Sequence, residues 1–151
     1  MAPTNDSQEN NQVQYNQAGQ LKKGDFIIIK DRPCKIIEIH KSKPGKHGAA
    51  KARFVGMDLL LKGKKYECIY NTGEAATCPV VVRYEAALLS MDDCDVNVLR
   101  GAKSETIPVP KDDELANQIR QEYEGGEQLL LQVLCALGQQ EIVGCRRDNS
   151  N

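Results

Sequence analysis

The strongest constraint on the fold is a succession of short β-prone runs, each closed by turn residues. Phe26–Lys30 and Cys34–His40 read as strands joined through Asp31-Arg32-Pro33. A glycine-punctuated loop leads into Ala52–Leu61 and Lys65–Tyr70, which join at Lys62-Gly63. Val80–Ser90 and Asp95–Leu99 form a further hairpin, turning at Met91-Asp92-Asp93-Cys94. Short strands and turns at this spacing predict small antiparallel barrels. A mainly β chain of 151 residues has the length of one ordinary domain, or of two very small ones.

One segment has a different period. Asp112–Tyr123 opens on Asp112-Asp113-Glu114, acids placed where a helix N-terminus favours negative charge. Leu115, Ile119 and Tyr123 follow at i, i+4 and i+8, one face of a helix, and Gly125-Gly126 stops it. Thr106–Val109 before it and Gln128–Leu137 after it read as strands. The C-terminal order is thus three strands, a helix and a strand. An OB-type barrel, which places a helix between its third and fourth strands, fits this order; so does a generic α+β lobe. Residues 1–18 carry one Val, one Tyr and no periodicity, and are expected to be a disordered tail.

Charge divides along the same line. The net charge of −1 looks unfavourable for a nucleic-acid partner. Yet residues 16–80 hold 13 basic and 6 acidic side chains, whereas residues 81–151 hold 7 and 13. A basic lobe and an acidic lobe therefore meet near Cys78-Pro79. The acidic half carries only Tyr84 and Tyr123 as aromatics, few for a base-stacking platform.

Several function classes are disfavoured. Leu129–Gly138, the longest mainly apolar run, is about half the ~20 residues a bilayer span needs. The Asn/Gln-rich N-terminus is unlike a secretory signal, so a cytoplasmic protein with reduced, structural thiols is expected. The six cysteines lack C-x2-C or C-x4-C spacing and only His40 and His47 could add imidazole, so no metal site is expected.

The chemistry concentrates between Lys41 and Lys65, which hold eight basic residues and one acid, Asp58. At its centre, Lys41-Ser42-Lys43-Pro44-Gly45-Lys46-His47-Gly48-Ala49-Ala50-Lys51 lies between strands and reads as a hairpin tip. Gly45 and Gly48 permit positive φ and keep bulk away from Lys46. A nucleotide-loop reading fails, because His40 stands where the first glycine should be and His47 where Ser or Thr should bind Mg²⁺. A Schiff-base lysine needs desolvation, and Lys46 sits among cations with no acid or base partner. The chain is not expected to be an enzyme. A merely solvated lysine loop remains open on composition.

Ser42-Lys43-Pro44-Gly45-Lys46-His47-Gly48-Ala49-Ala50-Lys51, with Arg32-Pro33-Cys34-Lys35-Ile36 before it and Gly63-Lys64-Lys65-Tyr66-Glu67 after it, resembles the translation initiation factor 5A family. The likeness continues through Cys78-Pro79 and Gln121-Glu122-Tyr123…Gly126-Glu127, covering roughly residues 20–145. Pro44 and Ala49 replace the Thr and His common in eukaryotic members, a pattern nearer archaeal ones. The resemblance implies an SH3-like barrel over residues 19–79 and an OB-fold over 80–146, with a flexible end over 147–151. It also implies that Lys46 becomes hypusine. Deoxyhypusine synthase would transfer an aminobutyl group from spermidine to it, and deoxyhypusine hydroxylase completes hypusine in many eukaryotes. No bound cofactor is implied. The implied partner is the ribosome near its E site, where the modified side chain reaches the P-site tRNA and promotes peptide bonds at polyproline stalls and termination. Lys43, Gly45, His47, Gly48 and Lys51 would form the modification and tRNA-contact loop; Lys41, Arg53, Lys64 and Lys65 would contact RNA backbone. The competing reading is an unmodified SH3/OB-type RNA-binding, ribosome-associated protein.

Overall fold

The computed structural model describes residues 12–43, 48 and 50–149. It divides into two compact units, Met1–Val81 and Val82–Asn151.

In the first unit β2 (Phe26–Ile29), β3 (Arg32–Ser42), β4 (Lys51–Asp58) and β5 (Lys65–Asn71) form one antiparallel sheet in that order. β1 (Val13–Gln17) and β6 (Ala75–Pro79) pair separately, and β6 lies against β2. The sheets enclose Ile27, Ile29, Cys34, Ile36, Phe54, Ala76 and Cys78, all essentially buried. Phe54 meets the edge of Tyr70 with ring centroids 6.3 Å apart. This is the SH3-like barrel.

The turn between β2 and β3 is tighter than expected. Lys30 (φ 52°) and Asp31 (φ 64°) alone make it, and Arg32 and Pro33 already belong to β3. A two-residue loop with both residues left-handed matches the twist of a hairpin, and Asp tolerates that conformation better than most residues. Farther along β3, Ile37 is an extra residue between the pairs Ile36–Gly56 and Glu38–Val55. That bulge reverses the alternation, so that Ile39 and Lys41, not His40, fall opposite the inward-facing Phe54 and Ala52.

The expected disordered tail is corrected at its C-terminal end. Residues 13–17 form β1, in register with Ala75–Pro79 from Val13–Pro79 to Gln17–Ala75. Its side chains are mostly exposed, so the strand is held by its backbone ladder and shows no apolar pattern to read. A single 3-10 turn, Ala18–Gln20, follows and buries Ala18. Residues 1–11 lie outside the described residues.

The second unit is a five-stranded antiparallel sheet ordered β11-β10-β7-β8-β9, from β7 (Val82–Met91), β8 (Asp95–Arg100), β9 (Lys103–Pro108), β10 (Leu129–Ala136) and β11 (Gln139–Arg147). Its edge strands β9 and β11 contact each other, curling it into the OB barrel. Val96, Val98, Ile107, Leu129, Leu131, Val133 and Ile142 fill the interior. Helix α1 (Asp113–Glu124) sits between β9 and β10 in sequence and buries Ala116 and Ile119. Asp112 is its N-cap, its carboxylate accepting from the amides of Glu114 and Leu115 at 3.1 and 3.5 Å. β11 extends one residue past the expected domain end at 146, because Arg147 pairs with Leu129.

Candidate functional site

The lysine loop springs from the β3–β4 hairpin, whose last cross-strand pair is Ser42–Lys51. Lys43, Gly48 and Lys51 are exposed at its base. Gly45, Lys46 and His47 lie outside the described residues. Lys51 is also opposite Asn71 on β5, so Ser42, Lys51 and Asn71 form one outward row across three strands. The next outward row is His40, Arg53 and Ile69.

The remaining basic residues proposed for RNA contact are not brought together. Arg53 faces outward but donates from Nη1 to Glu67 Oε1 at 2.5 Å, which answers much of its charge locally. Lys41 falls on the other face, opposite Ala52, where it stays exposed and its Nζ donates to the Gly19 carbonyl at 3.0 Å. Lys64 ends the β4–β5 turn and Lys65 opens β5, both at the far end of the sheet. Lys65 pairs with Met57, six residues along β4 from Lys51, or about 20 Å at strand spacing. The exposed candidate lysines therefore fall into two groups, Lys43 with Lys51 and Lys64 with Lys65.

That far end is organised by Asp58, whose side chain is fully buried. Its carboxylate accepts from Arg32 Nε at 2.8 Å and Nη2 at 3.2 Å, from the Leu60 and Leu61 amides at 2.8 and 3.0 Å, and from the Tyr66 hydroxyl at 3.0 Å. Burial alone would raise its pKa, but Arg32, the two amides and Tyr66 more than offset this and hold it below the ordinary aspartate value. The single acid in the basic stretch thus fixes the turn that presents Lys64 and Lys65. Its isolation among lysines was the only trace of this in the sequence.

All six cysteines are free. Burial pushes the Cys34 and Cys68 thiols up to about 11. Among the described residues no cluster of His, Cys, Asp or Glu could hold a metal ion, and no helix is long and apolar enough to cross a membrane.

An SH3-like unit carrying a basic hairpin, followed by an OB unit, makes this a two-barrel protein. Residues 12–74 match the family described as "Translation initiation factor 5A-like, N-terminal", and residues 80–146 match "Eukaryotic elongation factor 5A hypusine, DNA-binding OB fold". Eukaryotic translation initiation factor 5A of Dianthus caryophyllus is 39% identical over 129 residues, spanning 83% of this chain and 80% of that one. Among solved structures, a translation initiation factor 5A family protein from Naegleria fowleri superposes with a TM-score of 0.83 at 35% identity, covering 89% of this chain and 99% of its own. The factor from Methanococcus jannaschii superposes at 0.69 with 29% identity, covering 89% and 95%. The chain belongs to the translation initiation factor 5A family.

Proposed function

We propose that this chain acts on the ribosome, near the E site, through a hypusine or deoxyhypusine side chain on Lys46 that reaches the P-site tRNA. The observation that carries this reading is the hairpin base. Residues 43–50 connect the last ladder pair, Ser42–Lys51, and the exposed Lys43 and Lys51 flank the family's modified position. Aminobutylation of Lys46 by deoxyhypusine synthase would give an extended side chain with two amines, able to thread among phosphates. Hydroxylation by deoxyhypusine hydroxylase would follow where that enzyme is present.

The factor performs no reaction of its own. Proline is a poor nucleophile that restricts the nascent chain, and holding the acceptor end of the P-site tRNA lowers the entropic part of the barrier to peptide transfer. The same positioning assists termination. Lys43, Lys51, Lys64 and Lys65 contact rRNA or tRNA phosphates without reading sequence, which gives affinity that falls steeply with salt. The site of action is cytoplasmic.

The test is Lys46→Arg, which keeps charge and size but not the aminobutyl acceptor. In reconstituted translation it should lose relief of polyproline stalls while the fold and the RNA contacts of the other lysines are kept. Full activity of this variant would favour the unmodified RNA-binding reading.

A further inference from the structure

Both strands of the lysine hairpin are tied to one residue of the N-terminal segment. On the β4 side, the Thr72 amide donates to the Ala50 carbonyl at 2.9 Å, and the Gly19 amide donates to the Thr72 carbonyl at 2.8 Å. On the β3 side, Lys41 Nζ donates to the Gly19 carbonyl at 3.0 Å. The Ala18 amide donates to the Glu74 carbonyl at 2.8 Å, which anchors the 3-10 turn to the same β5–β6 connection. Gly19 is packed so closely that a Cβ would sit 3.0 Å from the Thr72 carbonyl oxygen and 3.1 Å from the Thr72 Cβ. The Ile37 bulge completes the arrangement, because it alone turns Lys41 to the side on which Gly19 lies.

We propose that Gly19 and Thr72 form a clasp that positions the base of the modified hairpin, and that Lys41 is a positioning residue of this clasp. Lys41 thereby leaves the set of RNA-backbone contacts. The segment that reads as a tail gains a role, since β1 and its following turn deliver Gly19 to the hairpin. Without the clasp, the base of the hairpin samples more conformations, and the fraction of molecules presenting Lys46 correctly to an enzyme or a tRNA falls. Apparent affinity falls by that fraction, while the chemical step is untouched. The effect on Lys46 rests on the function proposed above; the clasp itself does not.

The experiment compares full-length wild type, Lys41→Met, Lys41→Arg and Gly19→Val. Methionine keeps the length of the lysine stem but donates nothing, and arginine restores a donor. In Lys41→Met, amide hydrogen exchange at Gly19 and Thr72 should rise about fivefold, the effect of losing one ordinary hydrogen bond, with Phe54 and Leu131 unchanged. KM for aminobutyl transfer by deoxyhypusine synthase should rise at constant kcat by the factor by which the clasped fraction falls. Lys41→Arg should restore both. Gly19→Val removes no charge and should reproduce the Lys41→Met result; if it does not fold, the Lys41 pair decides. Unchanged exchange in Lys41→Met would overturn the clasp. So would a salt slope for RNA binding reduced by about one in that variant, the signature of a lost phosphate contact. If wild type is no substrate for the synthase, the proposed function fails, and exchange at Gly19 and Thr72 alone still judges the clasp.

Discussion

Arg32 and Asp58 join the start of β3 to the end of β4 through a two-pronged ion pair, 2.8 Å on Nε and 3.2 Å on Nη2, around a carboxylate sealed from solvent. The same carboxylate caps the Leu60 and Leu61 amides and takes the Tyr66 hydroxyl. One buried acid therefore satisfies four donor groups.

Removing it should be costly. Asp58→Ala should destabilise the SH3-like unit by about 3 kcal/mol in urea denaturation, because an uncompensated guanidinium, the buried Leu60 amide and the part-buried Leu61 amide lose their acceptor. Arg32→Ala should cost less, about 1–2 kcal/mol, since Asp58 keeps its amide and Tyr66 partners. The pH dependence follows from the depressed pKa of Asp58. The native state binds that proton more weakly than the unfolded chain does. The contribution is whole above about pH 4 and is lost as pH falls through the native value. Acid unfolding of wild type should be steeper than that of Asp58→Asn, which has no carboxylate to protonate.

Glu85 in the OB unit is held in its ionised form by Arg146 first and Gln132 second, which pull its pKa down to about 2. A carbon-detected NMR titration should find Glu85 the last glutamate of this unit to protonate. Arg146→Met should return it toward the ordinary value near 4.3. An unshifted Glu85 in wild type would show that this surface pair does not persist in solution.

Gly56 is required by its neighbours across the barrel. A Cβ there would lie 2.7 Å from Cys34 Cβ and 2.9 Å from Ile29 Cδ1. Gly56→Ala should therefore lower stability by about 1–3 kcal/mol through overpacking, read as a shifted urea midpoint at constant slope.

The cysteines should differ in reactivity. Cys94 is exposed in the β7–β8 turn, whereas Cys34 and Cys78 are buried and Cys34 and Cys68 are pushed up to about 11. Alkylation near neutral pH, followed by peptide mapping, should label Cys94 first, with Cys34 and Cys78 reacting only on unfolding.

Much of the architecture was legible in the sequence, because β2 to β5, β7, β8 and β10 carry the alternating or continuous apolar side chains of strands with a buried face. β1 was not, since Val13–Gln17 is held by backbone pairing and buries almost nothing. β11 escaped for a related reason: Gln139–Arg147 mixes polar and apolar residues around an irregularity opposite Gln132–Val133, which breaks the two-residue period. At the site, Lys43, Lys46 and Lys51 were recognisable as a motif. Grouping Lys41, Lys64 and Lys65 by charge was a different matter. An inserted residue at Ile37 turned Lys41 to the face on which Gly19 lies, and the length of β4 carried Lys64 and Lys65 to the opposite end. Neither bulge nor strand length is expressed in charge.

The central claim is that this hairpin exists to carry a modified lysine. Peptide mass spectrometry of the protein purified from its own cells tests it most directly. The account predicts that the peptide containing Lys46 carries the added mass of an aminobutyl group, with or without one further oxygen, and that Lys43 and Lys51 do not. An unmodified Lys46 in cells that possess deoxyhypusine synthase would contradict it.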